Sequence, residues 1–366
     1  MKLAVLQEDL AKSLITTSRF VNTRAQLPIL GNIILKTEKT SLRLLATNLE
    51  NSISMSLGAK VEAEGEIAVP AKTISEIVSN LARGQVELEA QKEHLKIKTD
   101  SFTGTVSGMN TSDFPKIEDI IGKNAVIFKK LDFNKAISKV LFCASVDETR
   151  PVITGVLFLN KNEKLYVVAT DGFRLSQKIL NLPKGVSFEK VILPRNFVSE
   201  LLHIGESDNF SFEIKEKESQ AIFEIDNIVL TSRLISGSYP NFENIIPKEA
   251  KTKVRVGKEE LLRATKLASV FARESANMVK VKVLKDSLKI SAESGKSGSQ
   301  EGSIEAKVEG EEVEIVFNYR FIEEFLNVVE GEEVEIQLSN TTSPGVFLDP
   351  KDPDFLHLIM PVKVQS

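Results

Sequence analysis

Apolar residues recur along this chain in two patterns, one with helical spacing and one with strand-like alternation. Between the helical runs lie short β-branched stretches such as residues 33–35 and 156–159, which are typical of strands. The clearest helical run has the i, i+3, i+4, i+7, i+8 spacing of one buried helix face, marked by Phe133, Ala136, Ile137, Val140 and Leu141. The two patterns together predict an α+β protein in which amphipathic helices pack on antiparallel sheet.

Each third of the chain repeats the same predicted order of elements. A short strand leads into a first helix, expected over residues 8–20, 132–144 and 258–271. Several strands follow, and a second helix is expected to begin near Ala71, Arg195 and Tyr319. Further strands close each third, so that each has two helices and roughly eight strands.

The repeat is also visible in the residues themselves. Similar apolar segments begin at Leu42, Leu165 and Leu288, at successive steps of 123 residues. That period is too long for a solenoid unit and has the size of a domain with its own core. We therefore predict three topologically similar domains, 1–121, 122–247 and 248–366, with links near 119–121 and 244–246.

Composition limits the class of protein. The chain has 366 residues, of which 42% are hydrophobic, and a net charge of −4, which gives no general basic signal for nucleic acid. The single Cys143 lies in an apolar run, excludes an internal disulfide and fits a reducing compartment. Glu8 and Asp9 interrupt the apolar N-terminus, and no run is long enough to span a membrane, so a cytoplasmic protein without membrane association is expected.

Motifs for catalysis or for a cofactor are absent from the sequence. His94, His203 and His357 lie outside metal-ligand spacing of one another, and no glycine-rich phosphate loop or GxSxG elbow occurs. We expect no metal, no cofactor and no enzymatic activity. The alternative is a three-domain enzyme with an unrecognised site in an inter-domain cleft around Arg174. The local sequence of residues 171–174, with its Asp-Gly pair, is also that of a simple hairpin turn.

Positive charge is concentrated in the predicted helices, and acidic residues in the predicted strands. Such residues on helices are either ordinary solvated positions or a basic surface that faces polyanionic DNA, and the pattern leaves both interpretations open. The helical cations include Lys12, Arg19, Lys135, Lys139, Arg263 and Lys266.

Four short segments in this order resemble the bacterial DNA polymerase III beta subunit family. They are residues 27–32 (LPILGN), 113–115 (DFP), 169–175 (ATDGFRL) and 360–363 (MPVK). Together with a threefold repeat of this length, they cover the whole chain.

The resemblance implies an architecture and a function. Three clamp domains per chain, each with two helices on antiparallel sheet, would join head to tail with a second copy as a dimeric ring. The ring would encircle duplex DNA and tether the replicative polymerase. The implied partners are double-stranded DNA without sequence preference, the DNA polymerase III catalytic subunit, the clamp loader, other proteins with a clamp-binding motif, and a second copy of the chain. A monomeric adaptor that uses the same partner groove is a third reading.

The resemblance also assigns site residues. DNA-binding positions would be Arg24, Lys72, Arg150 and Arg195, and dimer-interface positions Val270, Phe271 and, as the nearest aromatic to Gly104, Phe102. A basic residue common in the family is replaced here by Asn244. The partner-peptide pocket, apolar with one cation at its rim, would be formed by Ile153, Thr170, Gly172, Arg174, Leu175, Pro240, Ile245, Leu358, Met360 and Pro361.

Overall fold

The computed structural model describes residues 1–22, 26–123, 125–182 and 188–363. Six α-helices lie within these ranges, and each begins within two residues of the position that the apolar periodicity predicts. Their bounds are α1 Gln7–Ser18, α2 Ala71–Ser79, α3 Lys130–Val140, α4 Arg195–Leu201, α5 Lys258–Ala272 and α6 Tyr319–Val328.

The strands complete the threefold repetition of elements. The first third contains β1 Lys2–Leu6, β2 Asn32–Glu38, β3 Ser41–Thr47, β4 Asn51–Gly58, β5 Lys60–Ala63, β6 Glu66–Pro70, β7 Gln85–Gln91, β8 His94–Lys98 and β9 Thr103–Ser107. The second contains β10 Val126–Lys129, β11 Gly155–Lys161, β12 Lys164–Thr170, β13 Arg174–Asn181, β14 Lys190–Pro194, β15 Asn209–Lys215, β16 Gln220–Ile225 and β17 Ile228–Arg233. The third contains β18 Thr252–Gly257, β19 Met278–Val283, β20 Ser287–Ser294, β21 Gly298–Glu305, β22 Lys307–Gly310, β23 Val313–Asn318, β24 Glu333–Leu338, β25 Gly345–Asp349 and β26 Asp352–Ile359.

Local chemistry explains where the helices begin. Acidic residues occupy the first turns of α1 and α5, where they stabilise the positive end of the helix dipole. At the start of α6 the Asn318 side chain accepts a hydrogen bond from the Arg320 backbone N–H. Helix α3 ends at Val140, and the chain continues as a 3-10 turn over Leu141–Cys143. The helical pattern predicted to reach residue 144 therefore includes this tighter turn.

The chain divides into two compact units, each built from more than one segment. The first unit comprises residues 1–131, 183–188 and 200–234. It contains a five-stranded sheet, β5-β1-β7-β8-β9, and an eight-stranded sheet, β10-β15-β16-β17-β4-β3-β2-β6. The larger sheet joins strands of the first and second repeats through the antiparallel ladder of β4 with β17, in which Ile53 is opposite Leu230.

The second unit comprises residues 132–182, 189–199 and 235–366. Its nine-stranded sheet, β14-β11-β12-β13-β26-β25-β24-β18-β22, joins the second and third repeats through the ladder of β13 with β26. A four-stranded sheet, β21-β20-β19-β23, completes the unit. Helices α5 and α6 bury Leu261, Ala268, Ile322 and Phe325 in one core with these strands.

The two-unit division groups the strands by their pairing, whereas the predicted boundaries 1–121, 122–247 and 248–366 follow the repeat. These boundaries stay a prediction. The threefold order of elements is observed directly, and none of the described helices is long and apolar enough to cross a membrane.

Candidate functional site

An apolar groove of about 490 Å³ lies in the second unit, beside the end of the β13–β26 ladder. Five short segments form it: the 3-10 turn Pro151–Thr154, the loop and strand ends around residues 170–175, the segment 238–242, the 3-10 turn Phe242–Ile245, and the end of β26. No acidic side chain occurs among the described residues that line it. Such a surface suits a ligand with hydrophobic side chains.

The floor of the groove is continuous with a small hydrophobic core. Leu175 and Leu358 are directly opposite each other in the β13–β26 ladder, and each is 1% exposed. Tyr239 and Phe242 pack in the same cluster. At the mouth, Ile245 and Met360 are 43% and 37% exposed, respectively, so they are available to a ligand that the buried floor supports.

One wall of the groove is the hairpin loop between β12 and β13, the Asp-Gly turn expected from the sequence. Asp171 Oδ1 accepts hydrogen bonds from the backbone N–H groups of Phe173 and Arg174, at 2.9 and 3.0 Å. Gly172 has a φ of +91°, a conformation that side chains with a Cβ rarely adopt. Thr170 Oγ1 donates to the Arg174 carbonyl at 2.6 Å and accepts from the Gly172 N–H at 3.0 Å. These hydrogen bonds and the positive φ of Gly172 fix the conformation of the turn, which also shapes the wall of the groove.

Arg174 is the cation expected at the rim of the groove, but its side chain is only 9% exposed. Its Nε lies 3.0 Å from Asp171 Oδ2, and another guanidinium nitrogen donates to the Phe142 carbonyl at 2.8 Å. A further ion pair joins it to Glu324 of α6, and the guanidinium lies 4.4 Å from the centre of the Phe321 ring. Arg174 therefore lines the groove with a charge that is largely buried and paired, and its part in peptide binding stays a prediction.

The exposed cation of the groove is Arg150. Its side chain is 49% exposed, with Nε 3.3 Å from Asp147 Oδ2 and a terminal nitrogen 3.3 Å from the Asp171 carbonyl. The sequence comparison assigned Arg150 to DNA binding. The structure places it among the groove residues instead, and its part in DNA binding stays a prediction.

A buried polar cluster lies behind the groove wall. Ser176 Oγ is 2.7 Å from His357 Nδ1 and 3.2 Å from Cys143 Sγ, and all three residues have no exposed surface. Burial lowers the pKa of His357 to about 3, with the nearby Arg174 charge adding to the effect. Burial also raises the pKa of the Cys143 thiol to about 12. At neutral pH both groups are uncharged, and neither is accessible for chemistry.

The structure brings nine of the ten predicted pocket residues together in this groove. The exception is Pro361, which follows Met360 and does not line it. Six lining residues were not predicted for the pocket, and the turn at residues 238–240 was the only local signal for any of them. These six are Arg150, which was assigned to DNA binding, and Pro151, Val152, Ser238, Asn241 and Phe242. Asn244 is exposed in the adjacent 3-10 turn and does not line the groove.

The remaining predicted DNA-binding residues belong to different elements of the chain. Lys72 is in the first turn of α2, with a side chain 82% exposed and Nζ 3.9 Å from Glu76. Arg195 opens α4, and no acid of the described ranges forms an ion pair with it. Arg24 lies outside the described residues. Other helical cations are partly neutralised, since Lys12 pairs with Glu206 and Arg19 pairs with Glu200.

The predicted dimer residues lie beside two strands at sheet edges. Val270 of α5 is 57% exposed, and an added Cβ at Gly298, in edge strand β21, would lie 4.0 Å from the Phe271 ring. Phe102 immediately precedes edge strand β9, and its ring occupies the space above Gly104, 2.6 Å from where a Cβ would be. Phe102 therefore fills the place of a side chain at position 104.

Comparisons with known proteins match the whole chain. Models of the N-terminal, central and C-terminal domains of the DNA polymerase III beta subunit match residues 1–118, 128–241 and 243–363. A beta sliding clamp of Synechococcus elongatus is 30% identical, with 100% of both chains covered, and one of Bacillus subtilis is 29% identical over 99% of this chain and 100% of the relative. The crystal structure of the DNA polymerase sliding clamp from Bacillus subtilis superposes with a TM-score of 0.95 at 28% identity, with 100% of both chains covered.

The buried imidazole predicts a specific dependence of stability on pH. Because the folded pKa of His357 is far below the value of about 6.5 for an unfolded histidine, the unfolded chain binds a proton first as pH falls. The stabilising effect is complete above pH 6.5 and is lost progressively toward pH 3. Between pH 6 and pH 5, wild type should lose about 1 kcal/mol of unfolding free energy more than His357→Gln.

Urea unfolding at the two pH values measures this difference, and His94→Gln reports the effect of removing an exposed imidazole. An equal pH dependence in wild type and His357→Gln would show that the buried ring is not a neutral group in the fold.

Proposed function

The chain belongs to the DNA polymerase III beta subunit family, and we propose from that premise how its own residues close a ring, hold DNA and bind partners. Its function is that of a DNA sliding clamp, which tethers the replicative polymerase for processive synthesis. The match of three successive clamp domains over nearly the whole chain is the observation that carries this conclusion. We further propose that the chain acts without catalysis of its own, and that the clamp loader is among its partners.

Ring closure is supported by two of the strands that end their sheets in the described chain, β21 and β9. In each repeat, the strand that contains the repeated alanine forms a hairpin with the strand that follows it. In these hairpins Ile53 of β4 is opposite Ala46, Ser176 of β13 is opposite Ala169, and Gln300 of β21 is opposite Ala292. On its other side β4 pairs with β17, and β13 pairs with β26, whereas β21 is the last strand of its sheet. An exposed edge of this kind favours pairing with another strand.

The proposed partner is β9, an edge strand of the five-stranded sheet, which occupies in the first repeat the place that β17 and β26 have in the other two. The internal junctions align Ile53 with Leu230 and Ser176 with His357. The equivalent residues on the free edges are Gln300 and Gly104. We propose that β21 of one copy pairs with β9 of a second copy in the same register, which places Thr105 opposite Ser299 of its partner. Repeating this contact head to tail closes a dimeric ring.

The groove is proposed to be the docking site for a peptide of the polymerase and of other clamp-binding proteins. Its buried floor of Leu175 and Leu358 and its exposed lip of Ile245 and Met360 provide sites for hydrophobic anchors. A segment that binds here raises the concentration of the attached polymerase near DNA without any contact to bases.

DNA binding is proposed to depend on cations of the helices rather than on base readout. The assigned residues are Arg24, Lys72, Arg150 and Arg195. In addition, Arg263 and Lys266 of α5 are exposed cations without an ion pair in the described chain. Phosphate contacts by such side chains do not depend on sequence and leave the ring free to slide.

Substitution of Met360 tests the groove. Met360→Ala should weaken binding of a peptide from the polymerase by at least about tenfold, because the apolar lip loses its largest side chain. Fluorescence anisotropy with a labelled peptide measures the affinity. Met109→Ala, which does not line the groove, is the matched control, and unchanged affinity of Met360→Ala would contradict the assignment.

A disulfide between copies tests the ring and its register. Thr105→Cys combined with Ser299→Cys should give a covalent dimer on oxidation, since directly opposite residues in an antiparallel pair are within disulfide range. The native Cys143 is fully buried and does not compete. Thr105→Cys with Glu301→Cys, shifted by two residues, should cross-link poorly.

The cross-linked dimer should remain on nicked circular DNA in high salt once it has been loaded, and it should leave when the circle is cut. Release from the intact circle, or failure of the Thr105→Cys, Ser299→Cys variant to form its disulfide between copies, would exclude this closure.

Charge reversal tests the DNA contacts. Lys72→Glu with Arg195→Glu should weaken DNA binding and reduce the slope of log K against log salt by about one for each lost phosphate contact. Lys96→Glu, an exposed lysine on β8, is the control. Equal salt slopes for the double variant and the control would remove Lys72 and Arg195 from the DNA-binding surface, and gel filtration checks that the dimer persists.

A further inference from the structure

Arg174 connects three separate elements through one guanidinium group. Asp171 belongs to the hairpin loop that forms the groove wall, Phe142 to the 3-10 turn that follows α3, and Glu324 to α6. The aromatic rings of Phe142 and Phe321 lie 5.4 and 4.4 Å from the guanidinium carbon. With hydrogen bonds, ion pairs and ring contacts on several sides, the side chain has little free surface for a ligand.

The ion pair with Glu324 connects this arrangement to helix α6. One terminal nitrogen of Arg174 and Oε2 of Glu324 are buried, and neither has another hydrogen-bond partner in the described chain. Removing Glu324 therefore leaves this nitrogen of Arg174 buried without a counterion, although Asp171 and the Phe142 carbonyl still bind the rest of the guanidinium. Glu324 itself is not among the residues that line the groove.

Contacts connect this pair to the lip of the groove. Asp171 contacts the Arg174 guanidinium with Oδ2, and with Oδ1 it accepts the N–H groups of Phe173 and Arg174. The Phe173 carbonyl in turn accepts the Met360 N–H at 2.9 Å. A continuous series of polar contacts thus runs from α6 through Arg174 and Asp171 to the backbone of Met360.

We propose that Arg174 is a positioning residue, and that Glu324 of α6 acts through it to set the affinity of the groove for a partner peptide. The inference rests on the proposed function of the groove as a peptide site. Glu324, which lies outside the groove, determines how well the hairpin wall and the lip are ordered before the peptide binds. Because an ordered site loses less entropy on binding, this pre-organisation strengthens affinity. The alternative role for Arg174 is direct recognition of an acidic residue in the peptide.

Two peptides and three variants separate these roles. The peptides carry the same hydrophobic anchors, with an aspartate between them in one and an asparagine in the other. The variants are Glu324→Gln, Arg174→Lys and, as the matched control, Glu323→Gln, whose side chain forms no ion pair in the described ranges. Affinities are measured by anisotropy, and amide hydrogen exchange reports the order of residues 172–174 and 360.

Positioning predicts that Glu324→Gln and Arg174→Lys weaken both peptides by the same factor, roughly tenfold. Lysine keeps the charge but cannot make the same set of planar contacts, so it should not rescue binding. Hydrogen exchange should accelerate at residues 172–174 and 360 in Glu324→Gln while the rest of the unit keeps its protection. Glu323→Gln should bind both peptides as wild type does.

Three results would overturn the proposal. Wild-type affinity in Glu324→Gln excludes the positioning role even if Met360→Ala confirms the groove. A loss confined to the aspartate peptide assigns Arg174 to ligand recognition. Failure of wild type to bind either peptide removes the proposed function and this inference with it. If Arg174→Lys does not fold, Glu324→Gln decides the question alone.

Discussion

The structure depends on one constraint, that the backbone N–H and C=O groups along a strand edge need partners. In this chain the constraint is met twice by joining strands of successive repeats, β4 with β17 and β13 with β26. The same pairing creates sheets of eight and nine strands from repeats that would otherwise each present open edges. Strands β21 and β9 end their sheets in the described chain, and their open edges are the physical basis of the proposed ring closure.

The β13–β26 ladder also produces the groove. It places Leu175 opposite Leu358 and Arg174 opposite Ile359, so that residues almost two hundred positions apart become neighbours. The buried cluster of Ser176, His357 and Cys143 occupies the middle of the same junction. Groove, polar cluster and inter-repeat pairing are therefore parts of one structural element, and a change that disrupts the ladder would affect all of them.

Charges near the groove are divided between buried and exposed positions. Arg174 is buried, with Asp171 and Glu324 as its counterions, whereas Arg150 is half exposed and only partly neutralised by Asp147. At the far end of the β13–β26 ladder, Lys178 and the buried Lys139 share Asp352. Burial acts to raise the pKa of that carboxyl, but the two lysines outweigh it and hold the pKa below its usual value. These pairs fix the ends of the junction and leave the apolar middle of the groove for a ligand.

The sequence by itself determined the helices, most strands, the threefold repeat and, through the segments around residues 27–32 and 169–175, the family. Those features are local, since periodicity and turn residues act over a few positions along the chain. Tertiary structure alone decided which edges pair, that Phe242 and Val152 join the groove, and that Arg174 is enclosed while Arg150 is exposed. Two arginines look alike in a sequence, because burial and counterions come from residues such as Glu324 that are distant along the chain and close only after folding.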